Sequence, residues 1–249
     1  MNIYSYVSKK GKRERVKIMS RAKSYSLAVL GVASALGVAW LIRQHRRQTS
    51  SPYAWQQVLT TRHGVEKGKQ LAETIRQEQA SLIAEAQIPE NQALRKHLTE
   101  SILPGLALYR VLLREYAGDK PAALDEVGEA FRDWTLARNR LLMAPLKIVP
   151  EPFRLFKLAF NQTMKKFPVE GWDFTYVENS DDKVAFNATR CFYLNTLTAY
   201  GAPELTASFC KSDDVMAELF PPSIRFIRDH TLGRGDAMCD FQYCRVEKA

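Results

Sequence analysis

Between Ser51 and Gly171 apolar residues return every three or four positions, the spacing that lines one face of a helix. From about Trp55 to Ala86 the stripe is thin, Leu71, Ile75, Leu82 and Ile83 in a polar background, and it predicts one long connecting helix. A second helix opens near Pro89-Glu90-Asn91 and carries Leu98, Ile102, Leu106, Tyr109, Leu113 and Tyr116 as far as Gly118, with a kink expected at Pro104. The third carries Leu124, Val127, Phe131 and Trp134. A fourth, opened by Pro152, carries Phe153, Phe156, Phe160, Met164 and Phe167. Aromatic residues at this spacing predict core packing rather than a cofactor or lipid contact.

After Gly171 the period changes to two. Residues 172–177 and 184–189 alternate as strands around a turn of Asn179, Ser180, Asp181 and Asp182. Residues 191–200, 203–210 and 213–219 read as three short helices, the last capped by Ser212 or Asp213. Two more strands, 224–228 and 239–243, flank a loop whose Gly233 and Gly235 suit a turn. The expected fold is α+β: an N-terminal membrane-anchor helix, then a helical bundle-like half packed on a C-terminal four-stranded antiparallel sheet. Residues 1–50 form the leader and anchor, 51–88 the connector and 89–249 the α+β domain.

The anchor rests on Ser26–Ile42, seventeen residues without a charge, at the lower limit for crossing a bilayer. Basic residues flank it on both sides, and Trp40 sits at one edge. A cleaved signal, with Ala33-Ser34-Ala35 as its site, and a buried core helix are the competing readings. Eight basic residues before the run favour a cytoplasmic amino terminus, which would put the body on the far side; initiation at Met19 reverses that count. The reading leans toward a single-pass protein whose body is cytoplasmic. Charge supports this division of the chain. The formal net charge is +9, but residues 1–47 hold eleven Lys/Arg against Glu14 alone, so the remainder is near neutral. That body lacks the basic face that nucleic acid requires, and nucleic acid is not an expected partner.

No Gly-rich phosphate loop, HExxH or GxSxG occurs, which removes the best-marked nucleotide, zinc-protease and serine-hydrolase readings. All four cysteines, Cys191, Cys210, Cys239 and Cys244, lie in the last sixty residues or so. As small buried apolar residues they need no function. On one strand Cys239 and Cys244 would face opposite ways, roughly 17 Å apart, and could not bridge. A metal site of Cys191, Cys210 and Cys239 remains open, zinc being the usual occupant of such ligands, although no CxxC spacing marks it.

Several tail segments together resemble the L-2-amino-thiazoline-4-carboxylic acid hydrolase family: Phe186-Asn187-Ala188-Thr189-Arg190-Cys191, Gly201-Ala202-Pro203-Glu204-Leu205, Cys210 with Asp213, Arg228 with Thr231, Gly235, and Cys239-Asp240-Phe241. Ile102-Leu103-Pro104-Gly105-Leu106 with Tyr109 looks like the family's helical half, and the resemblance spans roughly residues 89–245. It implies a small-molecule substrate and hydrolysis of a cyclic carbon–nitrogen compound, the named reaction opening the thiazoline ring to N-carbamoyl-cysteine.

Such chemistry needs a nucleophile, a proton source and a partner for the substrate carboxylate. Cys191, Asp213 and Cys239 are the catalytic candidates, with Cys191 a thiolate sharpened by the start of a helix. Asn187, Thr189, Arg190, Glu204, Arg228 and Asp240 are the candidates for binding substrate. Asp213 or Glu204 would pair with an amidinium, and Arg190 or Arg228 would grip the carboxylate. Blander roles compete: Asp213 as a helix cap, Glu204 as a first-turn carboxylate, Arg190 and Asp240 as an ion pair. His230, beside Arg228, Asp229 and Thr231, is a candidate acid or base or an exposed loop residue. The alternative to an enzyme is a membrane-tethered module that binds a small molecule or metal without catalysis.

Overall fold

The computed structural model describes residues 51–246; the leader and the apolar run at 26–42 lie outside them. Among the described residues no helix is long and apolar enough to cross a membrane. The stretch expected as one connecting helix is two, α1 (Ser51–His63) and α2 (Val65–Glu85). They part at Gly64, whose φ of +81° is open to glycine at little cost. The pair packs closely, since a Cβ on Gly68 would fall 2.4 Å from the Thr60 Cα. Trp55, Leu59, Leu71, Ile75 and Leu82 thereby enter a common helical core, with Trp55 stacked on Phe131 at 5.5 Å.

Asn91 caps the short α3 (Gln92–His97), its Oδ1 accepting the Ala93 N–H at 2.9 Å. A π-turn at Leu98–Ile102 follows, then α4 (Leu103–Glu115). Pro104 accounts for the break: it has no N–H to give and its ring crowds the carbonyl four residues back, so the preceding turn widens. Asp119 caps α5 (Lys120–Met143), and α6 (Pro152–Met164) runs on to the sheet.

The sheet comprises β1 (Trp172–Asn179), β2 (Lys183–Cys191), β3 (Ile224–Ile227) and β4 (Cys239–Arg245), in the order β1-β2-β4-β3 with every pair antiparallel. Helices on a four-stranded antiparallel sheet are the α+β layout expected. Between β2 and β3 lie α7 (Phe192–Ala199) and α8 (Thr206–Ala217), the latter entered through a 3-10 turn at Pro203–Leu205. The sequence breaks this region at Ser212-Asp213, yet α8 runs through both residues without interruption. Asp213 therefore does not cap a helix.

Register sorts the sheet's side chains. Phe186 opposes Phe241 and Tyr176, and Tyr243 opposes Phe226, on an inner face covered by Phe153, Phe156 and Phe160 of α6. Phe186 and Phe241 stack at 4.9 Å, and Phe156 meets Tyr243 at 5.0 Å. The aromatic stripe of α6 is thus core, as its spacing predicts. Asn187, paired with Asp240, and Ala185, paired with Gln242, take the outer face.

One irregularity matters for chemistry. Phe174 pairs with Ala188 but Asp173 pairs with Arg190, which leaves Thr189 as an extra residue in β2. Alternation would send Cys191 outward with Asn187. The bulge reverses it, so Cys191 pairs with Trp172 and joins the inner face, where Cys239 stands opposite Ala188.

Candidate functional site

At the Cys191–Cys239 end the inner face meets α8. Arg228, just past β3, reaches across to that helix. Its Nη1 donates to Asp213 Oδ2 at 2.8 Å, and its Nη2 donates to Asp214 Oδ2 at 2.8 Å and to the Cys210 carbonyl at 2.9 Å. Its guanidinium lies 5.3 Å from the centroid of Phe241 and 5.6 Å from that of Phe226. Arg228 is only 3% exposed, whereas Asp213 keeps 40% of its side chain accessible. Loss of hydration nevertheless pushes the Asp213 carboxyl up to about 6, Arg228 pulling against it and the Asp214 charge adding to it. The Asp213 carboxyl is thus crowded by protein on one side and open to water on the other.

Three thiols share its surroundings. Cys191, Cys210 and Cys239 each feel the Asp213 charge, and Cys210 and Cys239 also that of Arg228. Burial raises the Cys191 thiol, although the N–H groups of Leu194 and Tyr193 at the start of α7 favour its thiolate. The expectation of a lowered thiol at a helix start is corrected here: desolvation outweighs the helix terminus. Cys210 is pushed up to about 11, by burial first and then by Asp213. Cys239 is raised by burial, and its sulfur accepts the Leu232 N–H at 3.2 Å. Gly233 lets this loop close on α8, because a Cβ there would sit 2.8 Å from Cys210 Sγ. All four cysteines are free. Among the described residues no three His, Cys, Asp or Glu side chains are arranged to hold a metal ion, so Cys191, Cys210 and Cys239 are near one another without forming a ligand set.

Behind Cys191 stands a group that pattern reading misses. His97 Nε2 lies 2.9 Å from the Lys166 carbonyl and Nδ1 lies 3.0 Å from Tyr193 Oη. A carbonyl only accepts, so Nε2 carries the hydrogen and Tyr193 donates its O–H to Nδ1. Burial lowers the His97 pKa and keeps the ring neutral. Ser101, in the π-turn, also bonds the Tyr193 hydroxyl, and burial holds Tyr193 far above the ordinary phenol range. The Pro104-induced π-turn was the available sign, since such turns gather at functional sites.

The other predicted residues stand elsewhere. Glu204 accepts from Tyr109 Oη at 2.9 Å and pairs with Lys120 at 2.8 Å, bracing α4 and α5. Asn187 and Asp240 are on the outer face, and the bulged Thr189 donates to Asp173 at 3.3 Å. Arg190 donates to the carbonyls of Val169, Glu170 and Trp172 and does not pair with Asp240. Asp240 instead accepts the Asp229 and His230 N–H groups at 3.0 and 2.7 Å and meets His230 Nδ1 at 2.9 Å. The sheet therefore separates Asn187 and Asp240 from Cys191, Cys239 and Arg228. Gly235, at φ +91°, closes its turn as expected.

Residues 95–243 match the family model described as L-2-amino-thiazoline-4-carboxylic acid hydrolase. No curated protein matches the chain. Among solved structures, the Fe(II) unliganded H-NOX protein from K. algicida aligns at 12% identity over 80% of this chain and 96% of that chain, with a TM-score of 0.35. A single-substitution mutant of that protein aligns at 14% identity over 70% and 96%, with a TM-score of 0.30. Likeness at that level carries no argument.

Proposed function

The chain belongs to the L-2-amino-thiazoline-4-carboxylic acid hydrolase family, and from that premise we propose that the site around Asp213 adds water to a small cyclic amidine-like carboxylate and opens its ring. The observation that carries the reading is the Asp213 carboxyl, reachable by water and pushed up to about 6. A group with that pKa serves as base and then as acid near neutral pH. Asp213 takes a proton from water as its oxygen bonds to the amidine carbon. The carbon–sulfur bond of the ring then breaks as the carbonyl forms, the Asp213 proton passes to the departing sulfur, water's second proton goes to the ring nitrogen, and an N-carbamoyl amino acid with a free thiol results. Burial keeps Cys191 and Cys239 as neutral thiols, which favours water over sulfur as the nucleophile and leaves the thiols as weak donors beside the leaving group.

Arg228 has both terminal nitrogens committed and acts as the positioning residue for Asp213. Its Nε is buried without a partner among the described residues, as are the Thr206 and Thr231 hydroxyls on the elements that converge here. Unsatisfied polar atoms of this kind support a polar occupant. The apolar run at 26–42 would hold the enzyme at a membrane.

Ring opening releases a thiol, so incubation with excess 2-amino-thiazoline-4-carboxylate and a disulfide reagent measures turnover directly. Asp213→Asn should cut the rate at least 100-fold, on the order expected for losing a general base, while Cys191→Ser keeps most of it. The opposite pattern would move the nucleophile to sulfur. Absence of turnover on this compound and its ring analogues would sink the hydrolase reading and favour a noncatalytic binding module.

A further inference from the structure

We propose that residues 140–166, the end of α5 and the length of α6, form a surface that docks on an anionic lipid bilayer. The inference is independent of the hydrolase reading. On α6 the Phe153, Phe156 and Phe160 stripe is turned to the sheet. On the opposite side Arg154, Leu158 and Lys165 fall in line at helical spacing, with Leu155 beside them. Leu158 is 61% exposed and Ile148, in the connection from α5, is 85% exposed; Leu141, Leu142 and Leu155 are exposed as well. Large aliphatic side chains left in water over one continuous segment mark an interaction surface.

Charge selects the partner. Residues 140–166 hold Arg140, Lys147, Arg154, Lys157, Lys165 and Lys166 against Glu151 alone. Lys157 pairs with Asp181, and Glu151 with Arg245. The other five cations form no ion pair among the described residues. Residues 1–47 carry eleven cations and Glu14, so like charge argues against the leader as the cover for this surface. A second copy of the same surface is repelled for the same reason. Leucine and isoleucine among unpaired lysine and arginine suit the boundary between headgroups and acyl chains of an anionic leaflet.

The test uses the full chain, so that leader-mediated binding is common to every variant in a given vesicle type, and the Glu85→Trp control reports it. Leu158→Trp, with Leu155→Trp as a second reporter should the first disturb folding, is mixed with phosphatidylcholine vesicles whose acyl chains are brominated, with or without phosphatidylserine. The added tryptophan should be quenched in the anionic vesicles and several-fold less in the neutral ones. Arg154→Glu with Lys165→Glu should remove that quenching, each lost cation being worth roughly fivefold in binding. A tryptophan at Glu85, outside the segment, should stay unquenched. The proposal is overturned if the reporters gain no quenching, if Glu85→Trp is quenched equally, or if phosphatidylserine makes no difference.

Discussion

The two faces of one four-stranded sheet have opposite chemistry. The inner face packs Phe186, Phe241 and Tyr243 under α6 and holds Cys191, Cys239 and a buried Arg228 at one end. The outer face carries Asn187, Asp240, Gln242 and Cys244, with Asp240 occupied in fastening the 229–230 backbone. On the inner side desolvation prevails and raises Asp213, whereas on the outer face the desolvation of Asp240, 15% exposed, is overcome by the hydrogen bonds it accepts from His230. The inner face is therefore where pKa values move far, and where a carboxyl can be poised for proton transfer.

The largest test of this contrast is packing. Phe186→Ala should cost about 3–5 kcal/mol, the range for truncating a buried aromatic. Its neighbour Asn187→Ala should stay within about 0.5 kcal/mol, as for a surface site. Urea unfolding read by circular dichroism measures both, and equal losses would break the division into faces. Next in size is the fate of two arginines. Arg228→Met strands Asp213 and the Cys210 carbonyl and should cost about 3 kcal/mol, as for breaking a buried pair. Arg190→Met, which frees two exposed carbonyls and the part-buried one of Trp172, should cost about 1 kcal/mol.

These contrasts also mark what the sequence discloses. All four strands are legible because alternation over 172–177, 184–189, 224–228 and 239–243 is a local signal, and the pairing of β1 with β2 and of β3 with β4 follows from the short connections between them, whereas the central β2–β4 pair joins segments distant in sequence. Which face Cys191 occupies is not local. It depends on Thr189 being extruded from the ladder, and Thr189 is an ordinary strand residue by composition. Ser212-Asp213 carries the chemistry of a helix cap, yet Arg228 satisfies Asp213 from β3's end and α8 continues. His97 and Tyr193 are ninety-six residues apart, so no local pattern announces their hydrogen bond. Asn187, Arg190 and Asp240 look like companions of Cys191 in sequence, and pleating with one bulge sends them elsewhere.

A third effect is smaller and depends on pH. Asp213 has a folded pKa of about 6, above its ordinary value of 3.8, so the native state holds the proton more tightly. Its contribution to stability is complete below the unfolded pKa and is lost as pH rises through about 6. With 40% of the side chain exposed, solvent screening brings this to ~1 kcal/mol across that window. Asp213→Asn should flatten the slope between those values. In the wild type, turnover should rise over the same interval as the base ionises, so stability and activity move in opposite directions.

The outer face supplies the smallest effect and a separate window. His230 is raised above its ordinary 6.5 by its hydrogen bond to Asp240 and then by that carboxylate's charge, so folding binds its proton more tightly. The stabilisation is complete below the unfolded value and fades as pH climbs through the raised one, above the range in which Asp213 titrates. Because His230 is solvent-exposed, the drop should be shallow and weakened by salt. Denaturation midpoints across pH 6–8 test it: His230→Gln should remove the drop while leaving the acid slope from Asp213 intact. If His230→Gln also altered the Asp213 window, the two faces would be one electrostatic unit, and a sheet that insulates Asp213 from its outer surface would be the wrong picture.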